Sequence, residues 1–156
     1  MGMFAHAACA KPEVERVIVI ERAPEVIALT RYATHFQDWP GHDKLTIVHA
    51  DALAEHLGLL IPLAGRRPDY LFADIWPSCA DPRAPGETAA MVTKLKPRRA
   101  GWWGQELSFG LWCRAAGRPP DGAALSEFSA AVGVPIAWTS GYLAFCAAAI
   151  ASSLPA

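Results

Sequence analysis

The chain has 156 residues, 53% hydrophobic and 19% charged, which is enough for one domain with a real core and too few for two full ones. Fourteen basic and fifteen acidic residues leave a net charge of −1, which excludes a bulk field that would attract nucleic acid or an anionic membrane. Cys9, Cys79, Cys113 and Cys146 fall far apart, with no C-x-x-C pair or His/Cys cluster at metal spacing, and read as reduced thiols of a cytosolic protein.

Met3 to Ala10 is rich in alanine and predicts a short helix. Ala8-Cys9-Ala10 has the small residues of a cleavage site, but no basic region or adequate apolar run precedes it, so a secretory signal is rejected. Val17 to Ile20 are four consecutive β-branched residues flanked by charge, which predicts a strand buried on both faces. The strand ends in Glu21, and Pro24 suits the first position of a helix running through Glu25 to Tyr32. Glu21 is therefore expected at the carboxyl end of a parallel strand, where open α/β sheets bind their ligands. Gly2 stands about 20 residues upstream, the distance that separates a nucleotide-binding glycine turn from a ribose-binding acid.

A polar connection over residues 35–44 leads to a second strand, Leu45 to His49, which ends at Ala50-Asp51-Ala52 and is followed by a helix expected over Leu53 to Leu60. Arg66, Arg67 and Pro68 form a loop before a third strand, Tyr70 to Ala73, ending at Asp74. All three strands thus finish beside an acid. A Pro-rich loop then precedes a helix from Glu87 to Leu95, closed by Pro97. Ala100 to Glu106 reads as a fourth strand with Trp102 and Trp103 on opposite faces, and Leu107 to Ala116 as a helix. Residues 117–122 form a Gly/Pro linker between a domain over 1–116 and a C-terminal tail over 123–156, whose first part, Ala123 to Val132, is helical.

No charged residue occurs from Phe128 to the end, yet Pro135, Ser140, Gly141 and many alanines interrupt the apolar run. A buried or interface helix from about Gly141 to Ser153 is expected there, not a membrane span. The five histidines show no ligand spacing, and no metal site is expected. Arg66, Arg67, Lys94, Lys96, Arg98 and Arg99 fall in loops opposite the acids and read as solvated loop ends, giving no clear nucleic-acid patch. Regular alternation of strand and helix implies an α/β fold, a parallel sheet with right-handed crossovers and helices on both faces.

In order, Gly2 opening a helix, Val17 to Glu21 with Pro24-Glu25-Val26-Ile27 behind it, Ile47-Val48-His49-Ala50-Asp51-Ala52, and Asp69-Tyr70-Leu71-Phe72-Ala73-Asp74 make a pattern. It resembles the class I S-adenosylmethionine-dependent methyltransferases, and within them the spermidine-synthase-like branch, over residues 2 to about 106. The resemblance implies a Rossmann-like sheet and S-adenosylmethionine as cofactor. It places Gly2 at the methionine part, Glu21 on the ribose, and Asp51 with Ala52 beside the adenine. Asp74 would face the methionine end or the acceptor and is the candidate general base, a role that needs a raised pKa and an acceptor within hydrogen-bond reach. The family's first, central strand and its glycines would precede Gly2, so the resemblance implies a truncated member with weakened cofactor binding and an unknown acceptor.

Three alternatives stand beside it. An aminopropyl transferase would use the decarboxylated cofactor in the same pocket, Asp74 with Asp81 being similar to that branch's two-acid loop, although Ile75-Trp76-Pro77 replaces the small polar residues expected there. A dinucleotide-dependent oxidoreductase would use Gly2 and Ala5 as the end of its fingerprint. A non-catalytic remnant or interaction protein would have its missing strand supplied by a homo-oligomer or a partner chain.

Overall fold

The computed structural model describes residues 3–33, 35–60 and 66–153, and Gly2 lies outside them. The chain divides into two compact units, Met1–Ala64 and Gly65–Ala156. Each holds its own two-stranded parallel sheet, so the class is mixed α/β, and no single four-stranded sheet forms among the described residues.

In the first unit, helix α1 (Met3–Cys9) precedes strand β1 (Val17–Glu21), helix α2 (Pro24–Ala33), two 3-10 turns (Phe36–Asp38 and His42–Lys44), strand β2 (Leu45–His49) and the short helix α3 (Leu57–Leu60). β1 and β2 pair in parallel register from Val17↔Leu45 to Glu21↔His49. Gly41 is left-handed, with φ 71°, and a Cβ there would collide with the backbone carbonyl of Cys9, so only glycine lets this turn press against the end of α1. Lys44 Nζ ties the same turn down by donating to the Lys11 carbonyl at 2.8 Å, and the His6 and Trp39 rings meet at 4.8 Å.

Two expectations change in this unit. All five β1 residues are half-buried, not enclosed on both faces, because one parallel neighbour and thin flanking layers cover them only in part. The helix expected over Leu53 to Leu60 is confined to Leu57–Leu60. The Asp51 side chain and carbonyl capture the Leu53 and Ala54 N–H groups, which sets turn geometry where a helix would otherwise begin.

The second unit runs through strand β3 (Tyr70–Ala73), helix α4 (Ala84–Leu95), strand β4 (Arg99–Trp102), and helices α5 (Gln105–Ala115), α6 (Gly122–Val132) and α7 (Ser140–Ser153). β3 and β4 are parallel, with Tyr70↔Arg99 and Ala73↔Trp102 at the ends of the register. On β4's other edge Ala100 bridges Ile136 in parallel and donates to the Pro135 carbonyl at 2.9 Å. The fully buried Trp102, Phe109, Leu125 and Val134 form the core with Met91 and Phe128. Phe128 is its hub, its ring centroid lying 5.5 Å from Phe109, 5.8 Å from Trp112 and 6.1 Å from Trp102.

The fourth strand ends sooner than its sequence suggests. Gly104 takes φ 84° as the N-cap of α5, and the Cys79 carbonyl occupies the space of its missing Cβ, so the chain must turn there. Gln105 and Glu106 consequently begin a helix instead of ending a strand. Trp102 is buried, whereas Trp103, in the turn beyond the end of β4, is 42% exposed. The segment 117–122 joins α5 to α6 within this unit, and Asp121 caps α6 by accepting from Ala124 N–H at 2.8 Å. The uncharged tail forms α7, which packs on α5, and no described helix is long and apolar enough to cross a membrane.

Candidate functional site

The carboxyl edge of β1 and β2 collects three of the sequence-derived candidates. The ladder extends past the strands, since Ala50 N–H donates to the Glu21 carbonyl at 3.1 Å. Glu21 turns its side chain forward, and Oε1 accepts from Ala23 N–H at 2.7 Å, which shapes the entry into α2. Its second carboxylate oxygen has no partner among the described residues. Across the pair, His49 Nε2 lies 3.0 Å from the Arg22 carbonyl. Asp51 Oδ1 accepts from Leu53 N–H at 2.8 Å, while Oδ2 sits 3.9 Å from Arg22 Nη1. Both partners of that ion pair are well exposed, so it contributes at most about 1 kcal/mol. Ala52 follows, half-buried, on the same edge. Two carboxylates in register neighbourhood, each with one oxygen committed to a turn, suit hydroxyl donors of a bound ligand more than proton transfer.

Asp74 belongs to the second unit, directly after β3, and is exposed. The ladder continues beside it, with Trp103 N–H donating to the Ala73 carbonyl at 2.9 Å. Trp76 is buried and donates from Nε1 to Glu87 Oε2 at 2.7 Å, which pins the loop to α4 and makes this Trp a packing residue. Asp81 is gripped by Arg83 through Nε at 3.0 Å and Nη2 at 2.7 Å. Those hydrogen bonds pull the Asp81 carboxyl down to about 2.

The sequence reading missed a buried polar cluster at the start of α5. Gln105 is 6% exposed and donates from Nε2 to the Tyr142 hydroxyl at 2.6 Å. Gln105 Oε1 and the Trp102 Nε1–H are buried without a partner among the described residues. Burial raises both the Tyr142 phenol and the Cys146 thiol, and the Tyr142 hydroxyl bonds to Cys146. The only sequence signal for this cluster is the i, i+4 spacing of Tyr142 and Cys146 within an otherwise alanine-rich helix. Gly101 is needed beside it, because a Cβ there would lie 2.8 Å from Gln105 Oε1 and 2.9 Å from the Tyr70 hydroxyl.

No group of three or more His, Cys, Asp or Glu among the described residues could hold a metal ion. No protein-family model, curated protein or solved structure matches this chain.

Proposed function

We propose that the chain is an S-adenosylmethionine-dependent methyltransferase-like protein of Rossmann-like descent. The observation that carries this reading is the parallel β1–β2 pair with Glu21 and Asp51–Ala52 gathered at its carboxyl edge. Glu21 accepts the ribose hydroxyls with the carboxylate oxygen that the turn leaves available. Asp51 and Ala52 line the adenine. Methyl transfer is direct displacement at an activated sulfonium, so the protein's contribution is alignment of donor and acceptor.

A second reading, a non-catalytic interaction protein, is favoured by the half-buried state of every β1 residue, which leaves apolar β-branched surface for a further strand to cover. Calorimetric titration of the whole chain with S-adenosylmethionine, decarboxylated S-adenosylmethionine and NAD separates these readings. Weak binding of S-adenosylmethionine, in preference to NAD, is expected. A preference for the decarboxylated form shifts the reading to aminopropyl transfer, NAD alone overturns it, and no binding of any of the three leaves the interaction protein.

A further inference from the structure

Six basic residues from two separate stretches of sequence lie at one end of the second unit. Arg66 and Arg67 precede β3, Lys94 and Lys96 stand at the end of α4, and Arg98 and Arg99 lead into β4. The backbone joins the two stretches before the strands begin, with Arg98 N–H donating to the Pro68 carbonyl at 2.9 Å and Arg99 N–H to the Asp69 carbonyl at 3.2 Å. Arg67 Nε donates to the Lys96 carbonyl at 2.9 Å, which offsets the partial negative charge at the carboxyl end of α4. Asp69, 3.3 Å from Arg98 Nε, is the single acid within these two stretches. All of the six except Lys94, which is half-buried, are exposed.

An aromatic ring stands beside these cations. Tyr70 is in register with Arg99, so the two side chains leave the sheet on the same face. Its hydroxyl reaches over Gly101, where a Cβ would lie 2.9 Å away, and yet the residue stays 45% exposed. The missing side chain at Gly101 lets the phenol lie across the neighbouring strand with much of its surface open to solvent.

We propose that this end of the second unit binds single-stranded nucleic acid, the basic side chains taking backbone phosphates and the Tyr70 ring stacking on a base. Four of the six cations are arginines, whose planar fork matches phosphate oxygens in a bidentate way. A cationic track beside an exposed aromatic ring is the combination that holds single strands without reading sequence. An anionic membrane fits less well, because apart from Tyr70 the described residues of the two basic stretches carry no exposed apolar side chain to enter a bilayer: Leu95 and Pro97 are buried and Pro68 is half-buried.

Fluorescence anisotropy of the whole chain with labelled oligo(U) and oligo(dT) of about 20 nucleotides, without cofactor, tests the proposal separately from the methyltransferase reading. If four phosphates are engaged, affinity falls on the order of 50-fold between about 50 and 200 mM NaCl. Lys96→Gly suits the left-handed backbone at φ 50°, and combined with Arg99→Gln it should weaken binding about tenfold and flatten the salt dependence. Tyr70→Leu should weaken binding without changing the salt dependence, and Arg31→Gln, in the first unit, should leave both unaltered. Circular dichroism melting shows whether each variant is folded, and should the double variant fail to fold, Lys96→Gly alone with Tyr70→Leu carries the comparison. No binding at the lowest salt, or folded variants that bind like the parent chain, overturns the proposal. Sedimentation with phosphatidylserine vesicles but no oligonucleotide binding also overturns it, in favour of a membrane surface.

Discussion

Replacing Glu21 by alanine and by glutamine separates two contributions of one carboxylate. Its Oε1 holds the Ala23 N–H at 2.7 Å, a turn-capping bond whose removal costs about 1 kcal/mol of stability. As ribose ligand, the same group would accept hydroxyl hydrogen bonds at a charged acceptor, each worth about 1.5–3 kcal/mol. Glu21→Ala removes both contributions, so urea denaturation should show a loss of about 1 kcal/mol and calorimetry a loss of about 100-fold or more in S-adenosylmethionine affinity. Glu21→Gln keeps an acceptor oxygen for Ala23 and should change stability by less than about 0.5 kcal/mol. It replaces the second acceptor by an NH2 donor, and affinity should still fall roughly 10- to 100-fold. Native affinity in both variants would remove Glu21 from the cofactor site. Loss of affinity in the alanine variant alone would mean that the turn, not the charge, supports binding.

Phe128→Ala deletes the hub of the second unit's aromatic cluster and should cost about 3–5 kcal/mol, a large part of an ordinary domain's stability. A loss under about 1.5 kcal/mol by urea denaturation would show that the cluster repacks around the cavity. Asp81 should titrate near 2 by NMR and return toward 3.8 in Arg83→Ala, since hydrogen bonds from Arg83 are the main cause of its depression. A depressed carboxyl stabilises the fold fully above its unfolded value and loses that contribution as pH falls toward 2, so Arg83→Ala should flatten the acid limb of the stability profile in that window. The Tyr142 phenol is raised by burial first and by Cys146 next, so its contribution is complete below the ordinary value of 10.0 and declines as pH climbs beyond it. Tyr142→Phe should therefore reduce the alkaline loss of stability, and an unchanged alkaline limb in thermal melts at pH 9 to about 11 would refute the role of this phenol.

Much of the element order was legible in the chain because it rests on local chemistry. Four β-branched residues ending at an acid, then Pro24, announce β1 and α2, and the observed helix begins at Pro24. Tyr70 to Ala73 and the uncharged helix near the carboxyl end were equally plain. Boundaries failed where a side chain or a distant backbone group intervened. Asp51 diverted the start of α3, and the carbonyl of Cys79, 25 residues before Gly104, forced the turn that ends β4 early.

The sequence by itself determined the alternation of strand and helix, the parallel pairing that alternation demands, and the placing of Glu21 at the end of one strand and of Asp51 and Asp74 just after two others, since each depends on periodicity and turn residues within a short window. Tertiary structure alone decided which strands pair, how little of β1 is enclosed, and the meeting of Gln105 with Tyr142 from 37 positions apart. It also brought Arg67 to the Lys96 carbonyl at the end of α4. Such contacts depend on how whole elements pack, and the free energy that selects them is summed over many residues distant in the chain, so no local pattern records it.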